Sequence, residues 1–402
     1  MGLSSWPGFI GAGRETLDVS LQPPSSKDRG PPILQVLPRG MRYSFAAATS
    51  IDLFVSEVAA RSRFRVEIVA ESGPSALPAA AIHNLPAYSV ASTLRRARFV
   101  ANLARSLEPS AIVVQQHLPS ASAVRALTQT PVILQKHNFL RLPRRARWAR
   151  DISQWRHTRQ LNSLAGLTFV SAAVLDQFEH EWPEVTTLRR VIPNGIDLEA
   201  WRPQRARDRT VLTVGRATPE KGMLEAALAL REVLPRHPGW TATFVVSEAD
   251  RFPNYFADLC AALAPLGDRA RLLLDRPFAE VKALNEVAAI ALVPSMWREP
   301  FGRTCLEAHA GGAAVVSSGS GGLLEISGEA ALKLRRVDSG AIAEALEALI
   351  GSEPLRLRLS LEGLARVRRL FDVRRVAADL DDFCAAVIET TRSSRAPALG
   401  AM

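Results

Sequence analysis

Cysteine, lysine and tyrosine are scarce in this sequence, and no apolar run is long. The three cysteines, Cys260, Cys305 and Cys384, are odd in number and far apart, which excludes a disulfide framework and a thiolate zinc site. A reducing compartment is therefore expected. The longest apolar runs, Ala111–Val114 and Ala288–Pro294, are far shorter than the ~20 residues that span a bilayer, so no transmembrane helix is expected.

Charge is plentiful but unevenly distributed. The 402 residues include 50 Lys or Arg and 40 Asp or Glu, a formal net charge of +10. Residues 1–200 hold 23 of these cations against 15 acidic residues, a net +8, whereas residues 201–402 hold 27 against 25, a net +2. Only five of the cations are lysines. The asymmetry predicts that the first half of the chain faces an anionic partner.

Short apolar runs alternate with longer amphipathic stretches from Ile33 almost to the end, which is typical of parallel sheets with crossover helices. This alternation is interrupted at the turn-rich residues 191–195 and at the charged run 202–209. We therefore predict an α/β protein with two doubly wound, Rossmann-like domains facing a ligand-binding cleft. The predicted segments are a flexible extension at 1–31, a first domain at 32–195, a second domain at 196–372, and a helix with tail at 373–402 that packs back on the first domain.

The same patterns predict individual elements. Predicted strands lie at 33–37, 65–69, 111–115, 131–135, 167–170, 210–214, 242–246, 270–274, 289–293 and 313–316. Predicted helices lie at 51–60, 93–107, 172–180, 219–234, 255–263, 279–287, 303–310, 341–350, 354–370 and 373–390.

The most informative stretch runs from Glu299 to Glu307 (EPFGRTCLE), where an apolar strand gives way to a helix. Gly302 permits close backbone approach, and the first helical turn directs the free amides of Gly302, Arg303 and Thr304 at phosphate or sugar oxygens. Both glutamates can border one ligand. Two glutamates eight residues apart are, however, more often a solvated pair.

A second stretch, Gly215 to Gly222, joins the first strand of the second domain to its first helix. Arg216 and Lys221 would place two cations beside one anionic ligand, next to a helix N-terminus. A helix start capped by Thr218, with solvated cations, explains the same residues equally well.

These stretches together resemble glycosyltransferase family 4 (glycosyl transferases group 1), retaining enzymes with two Rossmann-like domains in the GT-B arrangement. The resemblance covers Ile33 to Thr390. It includes VIPNGID at 191–197, the glycine–arginine and lysine–glycine pairs within 215–222, and the Glu-x7-Glu spacing within 299–307.

The resemblance implies two sets of residues at the cleft. The residues implied in catalysis are Glu299, His117, Arg216 and Lys221. Those implied in donor binding are Phe301, Gly302, Arg303, Thr304, Glu307, Gly215 and His137. In this scheme Arg216 and Lys221 hold the donor diphosphate, and Glu299 binds donor-sugar hydroxyls. Taken alone, either histidine is more often structural. Both follow strand ends on the cleft side, which favours a functional role for His117, whereas the structural alternative is retained for His137.

The implied reaction is a retaining hexosyl transfer in which the departing phosphate takes the acceptor proton, so catalysis rests on positioning and on stabilising the leaving diphosphate. No cofactor and no metal are expected, and a nucleotide-diphosphate sugar is the co-substrate. Asp379 and Asp381 resemble a metal-binding pattern of the other glycosyltransferase fold, but we expect them to be solvated on a helix. The loop Arg39–Ala48 has one glycine where the family usually has two, and Arg42 is expected to add charge there.

Arginines alternate with aromatic and aliphatic residues between Phe139 and Arg159. The candidate membrane- or acceptor-binding residues are Arg141, Arg144, Arg145, Arg147 and Trp148. Such a composition suits an anionic membrane interface, single-stranded nucleic acid, or a solvated basic helix with core-facing tryptophans.

Because the resemblance implies that the first domain holds the acceptor, we predict a glycan or lipid-linked acceptor, an anionic membrane surface as partner, and no nucleic acid. The expected location is cytoplasmic, peripheral on the inner face of the cell membrane, with a role in lipopolysaccharide or exopolysaccharide synthesis. A sugar-nucleotide epimerase, a phosphorylase and a non-catalytic nucleic-acid-binding protein are the alternatives.

Overall fold

The computed structural model describes residues 30–40, 42–43, 49–72, 81–86, 92–142 and 147–394. In these residues two parallel sheets with interleaved helices form two Rossmann-like domains, which confirms the predicted fold class. The predicted extension, except for its last two residues, lies outside the described residues, as does most of the Arg39–Ala48 loop.

The sheet of the first domain has the strand order β2-β3-β1-β5-β6-β7-β8, and β4 pairs with β3. Its strands are β1 (Ile33–Val36), β2 (Arg42–Tyr43), β3 (Val66–Ser72), β4 (Ala81–Asn84), β5 (Ala111–Gln115), β6 (Val132–Lys136), β7 (Gly166–Phe169) and β8 (Arg189–Val191). Its helices are α1 (Ser50–Ala59), α2 (Thr93–Leu107), α3 (Leu118–Arg125), α4 (Arg147–Asn162) and α5 (Ala172–Glu181).

The sheet of the second domain has the order β11-β10-β9-β12-β13-β14. Its strands are β9 (Asp208–Arg216), β10 (Thr241–Ser247), β11 (Ala270–Leu274), β12 (Ala288–Val293), β13 (Ala314–Ser317) and β14 (Ala331–Lys333). The helices that follow β9 are α6 (Met223–Val233), α7 (Pro253–Leu263), α8 (Phe278–Val287), α9 (Arg303–Ala310), α10 (Gly322–Ser327), α11 (Ser339–Gly351), α12 (Glu353–Leu370) and α13 (Val373–Ser393).

The sequence explains these elements locally. All five residues of β5 are buried, as are all six of β12, because helices cover both faces of a parallel sheet. Helix α2 begins where the Ser92 side chain accepts a hydrogen bond from the Arg95 amide, and it ends at Glu108 in the left-handed conformation. The single helix predicted over 219–234 is instead a short 3-10 turn followed by α6, separated by Gly222 with φ of 66°.

Helix α13 leaves the second domain and packs on the first. Its apolar residues, including Leu380 and Phe383, belong to the same buried cluster as Phe54 of α1. Asp381 accepts hydrogen bonds of 2.7 Å from both the Ser62 hydroxyl and the Arg63 amide.

The expectation that this aspartate pair is solvated is therefore wrong for Asp381. The side chain is buried, and burial raises its pKa. Asp379 is the more exposed of the two and lies 3.8 Å from Arg375. Among the described residues, no helix combines the length and apolarity needed to cross a bilayer.

Substituting Gly195→Ala tests the junction between the interdomain segment and α13. A Cβ at Gly195 would lie 2.8 Å from the Val373 Cα, which is backbone and cannot rotate away. We expect a loss of about 1–3 kcal/mol in the free energy of unfolding, measured by urea denaturation. Gly351→Ala is the matched control, because a Cβ there meets nothing within 4 Å. Equal unfolding midpoints for the two variants would contradict the tight junction.

Candidate functional site

A cleft of about 650 Å³ lies between the two domains. It is lined by ten of the residues proposed from the sequence, namely Gly215, Arg216, Lys221, Glu299, Phe301, Gly302, Arg303, Thr304, Glu307 and His137. His117 is not among the lining residues. The first domain also contributes Thr49, Ser50 and Leu53 from the start of α1, together with Asn138.

The strand order explains why two distant sequence stretches meet in this cleft. From β9 the chain continues to β10 and β11 on one side, then returns to β12 on the other side of β9. The carboxyl ends of β9 and β12 therefore flank a topological switch point, where open α/β sheets bind ligands. Arg216 ends β9, and the segment carrying Glu299 follows β12.

Lys221 and Glu299 form the closest ion pair within the cleft. The Lys221 Nζ lies 2.5 Å from the Glu299 Oε1, and the Ser295 hydroxyl donates to the same oxygen at 2.6 Å. Both donors use Oε1, so Glu299 Oε2 accepts from neither of them. The Lys221 ammonium also lies 5.7 Å from the ring centroid of Trp297. An ammonium has three donors, so Lys221 can contact Glu299 and an anionic ligand together.

Arg216 is held more loosely. Its guanidinium nitrogens lie 3.6 Å from Glu220 and 3.8 Å from Glu248, and its side chain is partly exposed. Long contacts between partly exposed groups stabilise little, so the side chain is available to turn toward an anion.

Helix α9 begins in the cleft, directly after Gly302. This glycine has φ of 104°, and a Cβ there would lie 2.2 Å from the Leu323 Cδ2. The position therefore requires glycine for both its conformation and its packing. The first amides of α9 lack intrahelical partners, and the helix dipole adds positive potential at the same end.

Arg303 joins the two domains through its side chain, whereas the sequence suggested only a backbone role. Its guanidinium contacts Glu307 at 2.9 Å in its own helix and Glu57 of α1 at 3.1 Å. Burial opposes the Arg303 cation, but the two carboxylates outweigh it and raise its pKa. Burial also raises the pKa of Glu307, against the effect of Arg303. Sequence reasoning missed Glu57.

Three further hydrogen bonds, one to Pro300 and two to Glu325 of α10, join the second domain to the first. The Ser171 hydroxyl donates to the Pro300 carbonyl at 2.5 Å. The Glu325 carboxylate accepts from the amides of Ala172 and Ala173, at 2.8 and 2.7 Å, and so caps α5 from the other domain. These contacts hold the two walls of the cleft together.

The two candidate histidines differ in their surroundings. His137 borders the cleft, its Nε2 lies 2.6 Å from the Gln115 Oε1, and its ring packs edge-on against Phe54. Burial lowers the pKa of His137 to about 3, so this ring is neutral. His117 precedes α3, with its Nδ1 2.8 Å from the Ser120 hydroxyl, and burial lowers its pKa as well.

The basic aromatic stretch is only partly described. Arg144 and Arg145 lie outside the described residues, and Arg147 and Trp148 are described only as backbone of α4. Arg141 is exposed, with its guanidinium carbon 5.5 Å from the Phe139 ring centroid.

The rest of α4 presents a continuous exposed face. Trp155 is 58% exposed and Ile152 is 53% exposed, so Trp155 does not face the core. Arg156 and Arg159 are exposed too, and the Arg159 guanidinium carbon lies 4.9 Å from the Trp155 ring centroid. Residues 152, 155, 156 and 159 share one side of a helix. No group of three or more His, Cys, Asp or Glu side chains among the described residues is arranged to hold a metal ion.

Two family models match adjoining parts of the chain. The model described as Glycosyltransferase Family 4 matches residues 48–200, and the model described as Glycosyl transferases group 1 matches residues 198–365. Together they cover both walls of the cleft.

Individual relatives match over shorter stretches. A glycogen synthase of Mycobacterium tuberculosis is 32% identical over 193 residues, covering 46% of each chain. A lipopolysaccharide core biosynthesis mannosyltransferase of Rhizobium leguminosarum is 30% identical over 205 residues, 47% of this chain and 57% of the relative. The chain thus spans about half the length of these curated relatives. The crystal structure of Anabaena HepE in complex with UDP and glucose superposes with a TM-score of 0.68 at 17% identity, covering 88% of this chain and 99% of that one.

Substituting Arg303→Met tests the charge bridge between the domains. The change leaves two carboxylates, Glu57 and Glu307, without their shared cation, and we expect the free energy of unfolding to fall by about 3–5 kcal/mol. Arg358→Met is the control, because Arg358 pairs with Glu362 on an exposed helix surface, where a loss of ~0–1 kcal/mol is expected. Adding Glu57→Gln to Arg303→Met should recover part of the loss. Urea denaturation measures all three, and equal losses for the two arginine variants would contradict the bridge.

Proposed function

The chain belongs to the family 4, group 1 glycosyltransferases, and from that premise we propose that it is a retaining hexosyltransferase. Its donor is a nucleoside-diphosphate sugar, and its acceptor is a glycan or a lipid-linked glycan. One observation carries the proposal, namely that Arg216, Lys221 and the start of α9 converge in one cleft with Glu299 and Glu307.

The positive side of the cleft suits a diphosphate. The cations of Lys221 and Arg216 flank it, and the unpaired amides at the start of α9 point the same way. These groups are in place before reaction, so they stabilise the charge that develops on the departing diphosphate at little reorganisation cost. The proposed reaction therefore uses protein cations, not a metal ion, to neutralise the leaving group.

The acidic residues suit the sugar and the ribose. Glu299 keeps Oε2 clear of both Lys221 and Ser295, so this oxygen can accept hydrogen bonds from donor-sugar hydroxyls. Glu307 uses Oε1 for Arg303 and has Oε2 for a ribose hydroxyl. Because Lys221 and Ser295 both hold Glu299, we assign it to positioning rather than to nucleophilic attack. Transfer with retention then proceeds on one face, with the leaving phosphate oxygen taking the acceptor proton.

The acceptor side of the proposal rests on the first domain. The exposed face of α4 combines Trp155 and Ile152 with Arg156 and Arg159, a composition that suits the interface of an anionic membrane. A peripheral enzyme placed there would meet lipid-linked acceptors. The similarity to the lipopolysaccharide core mannosyltransferase of Rhizobium supports a role in cell-envelope polysaccharide synthesis.

Calorimetric titration with UDP, GDP, ADP and their sugar derivatives tests the donor site. We expect one nucleotide diphosphate to bind, and Lys221→Ala to weaken that binding at least about tenfold through loss of a charge-assisted hydrogen bond. Lys333→Ala, which removes a lysine paired with the exposed Glu329, should leave the affinity unchanged.

Other outcomes of the titration would favour the alternatives. If no nucleotide binds either variant while RNA binds both, the transferase proposal fails. If the bound nucleotide sugar is epimerised without an acceptor, the epimerase alternative replaces it.

Co-sedimentation with phosphatidylglycerol vesicles tests the membrane face. Trp155→Ser should weaken binding about tenfold, since a large apolar side chain no longer enters the interface, and added salt should weaken it further. Leu361→Ser is the control, because Leu361 is also 58% exposed but lies on α12 of the second domain. Equal binding by both variants would exclude α4 as the membrane face.

A further inference from the structure

Three glutamines lie in the interior of the first sheet, where buried parallel strands normally carry apolar side chains. Gln35 is in β1, Gln115 ends β5, and Gln135 is in β6. Gln115 and Gln135 are 0% exposed, and Gln35 is 3% exposed. A buried amide costs free energy unless its hydrogen bonds are made, so three of them on neighbouring strands require a physical explanation.

The Gln115 amide lies at the centre of this glutamine ladder, which consists of Gln35, Gln115 and Gln135. Its nitrogen Nε2 lies 2.7 Å from the Gln35 Oε1 and 3.4 Å from the Gln135 Oε1, so it faces two oxygens. Its own oxygen Oε1 lies 2.6 Å from the His137 Nε2. Turning the Gln115 amide over would place its oxygen against the other two oxygens. The flanking glutamines therefore hold the Gln115 oxygen toward the histidine.

This contact determines which nitrogen of the His137 ring carries a proton. Burial, together with the neighbouring Lys136 cation, lowers the pKa of His137 to about 3, so the ring is neutral and has one protonated nitrogen. An amide oxygen can only accept a hydrogen bond, so the proton lies on Nε2, which donates to Gln115. The other nitrogen, Nδ1, is then an acceptor.

The Nδ1 acceptor has no partner among the described residues, although His137 is partly exposed and lines the cleft. The ring is held in place from two directions. The His137 amide donates to the Gln116 Oε1 at 2.9 Å, and the Phe54 ring packs edge-on with its centroid 5.5 Å away. A fixed acceptor of this kind needs a ligand group that carries a hydrogen. A sugar hydroxyl carries one, whereas an ionised phosphate oxygen only accepts.

We propose that Gln115 is a positioning residue, which holds the His137 proton on Nε2 so that Nδ1 accepts a hydrogen bond from a sugar hydroxyl in the cleft. Gln115 is not among the described residues that line the cleft, so it acts only through the histidine. The inference rests on the proposed function, since it requires a sugar at this wall of the cleft. Sequence reasoning assigned no role to Gln115, because a strand pattern does not show which buried side chains meet.

Nitrogen-15 NMR of the full chain, labelled selectively at its seven histidines, tests the tautomer. Comparison with the spectrum of His137→Gln assigns the His137 resonances. At neutral pH we expect a protonated Nε2 and an unprotonated Nδ1 in the wild-type protein. Gln115→Met keeps the length of the side chain but removes its amide, and it should give a mixture of the two tautomers.

Gln135→Met is the matched control for the NMR experiment. Gln135 is as deeply buried as Gln115 and lies on the adjacent strand, but its oxygen faces Gln115 rather than His137. This variant should leave the His137 tautomer unchanged. A proton on Nδ1 in the wild-type protein would overturn the proposal even if Gln115→Met fails to fold, and so would identical His137 resonances in the two variants.

Calorimetric titration isolates the contact with the sugar. The probes are UDP-glucose and GDP-mannose, each compared with UDP or GDP alone. We expect Gln115→Met to lower the affinity for the sugar nucleotide about fivefold and to leave the affinity for the free nucleotide unchanged. Gln135→Met should change neither affinity. Equal losses for sugar nucleotide and free nucleotide would show a general structural role for Gln115 and contradict the positioning role.

Two substitutions of the histidine separate the roles of its nitrogens. His137→Asn keeps an acceptor near the position of Nδ1, whereas His137→Gln keeps a donor near the position of Nε2 and has no acceptor at Nδ1. We expect the asparagine variant to retain more affinity for the sugar nucleotide than the glutamine variant. The reverse order would overturn the assignment of Nδ1, as would a wild-type Nδ1 resonance that neither sugar nucleotide moves.

The inference and the proposed function fail in different ways. If no nucleotide binds although the proton lies on Nε2 and Gln115→Met redistributes it, Gln115 still positions the histidine and the proposed function fails. If nucleotide binds while the proton lies on Nδ1, the proposed function stands and the positioning role fails.

Discussion

The site depends on a single guanidinium shared between two domains. Arg303 belongs to the helix that carries Glu307, yet it also contacts Glu57 of α1. The same α1 contributes the cleft wall at Thr49 and Ser50. The distance between that wall and the start of α9 is therefore fixed by a buried interaction in which each carboxylate needs the shared cation.

Each of the two sheets has a topological switch point, but the charged residues near it differ between the sheets. At the switch point of the second domain, the Lys221 ammonium is paired with the Glu299 carboxylate. The amides at the start of α9, which have no intrahelical partners, lie in the same cleft. In the first sheet β1 lies between β3 and β5, so the ends of β1 and β5 flank the corresponding switch point. Near it the buried Arg96 lies 3.7 Å from the Glu71 carboxylate, and the buried Lys136 donates to the Gln116 carbonyl.

Much of the fold could be predicted from apolar periodicity. The bounds predicted for β5, β11, α2 and α9 coincide with those observed. Strands β2, β4, β8 and β14 were not predicted. Strand β2 has only two residues, and the other three have three or four residues and are only partly buried, so their sequences lack a sustained apolar pattern.

Only those parts of the site whose residues lie close together in the chain could be predicted from the sequence. The Glu299–Glu307 and Gly215–Gly222 stretches each carry their own turn and helix signals. Glu57 has no such local sequence signal, because its contact with Arg303 joins residues 246 positions apart and depends on how the two domains pack together. The prediction that Asp381 is solvated is wrong for the same reason. A helix pattern shows which face of the helix is apolar, but not that Ser62 and Arg63 cover a polar residue next to that face.

The Glu325 carboxylate of the second domain caps α5 of the first domain, so separating the domains would also break a favourable electrostatic interaction. When the domains part, the amides of Ala172 and Ala173 lose their carboxylate, and the helix dipole and the carboxylate are each returned to water. Dissolved ions screen this attraction, so a rise in ionic strength weakens this contact between the two domains.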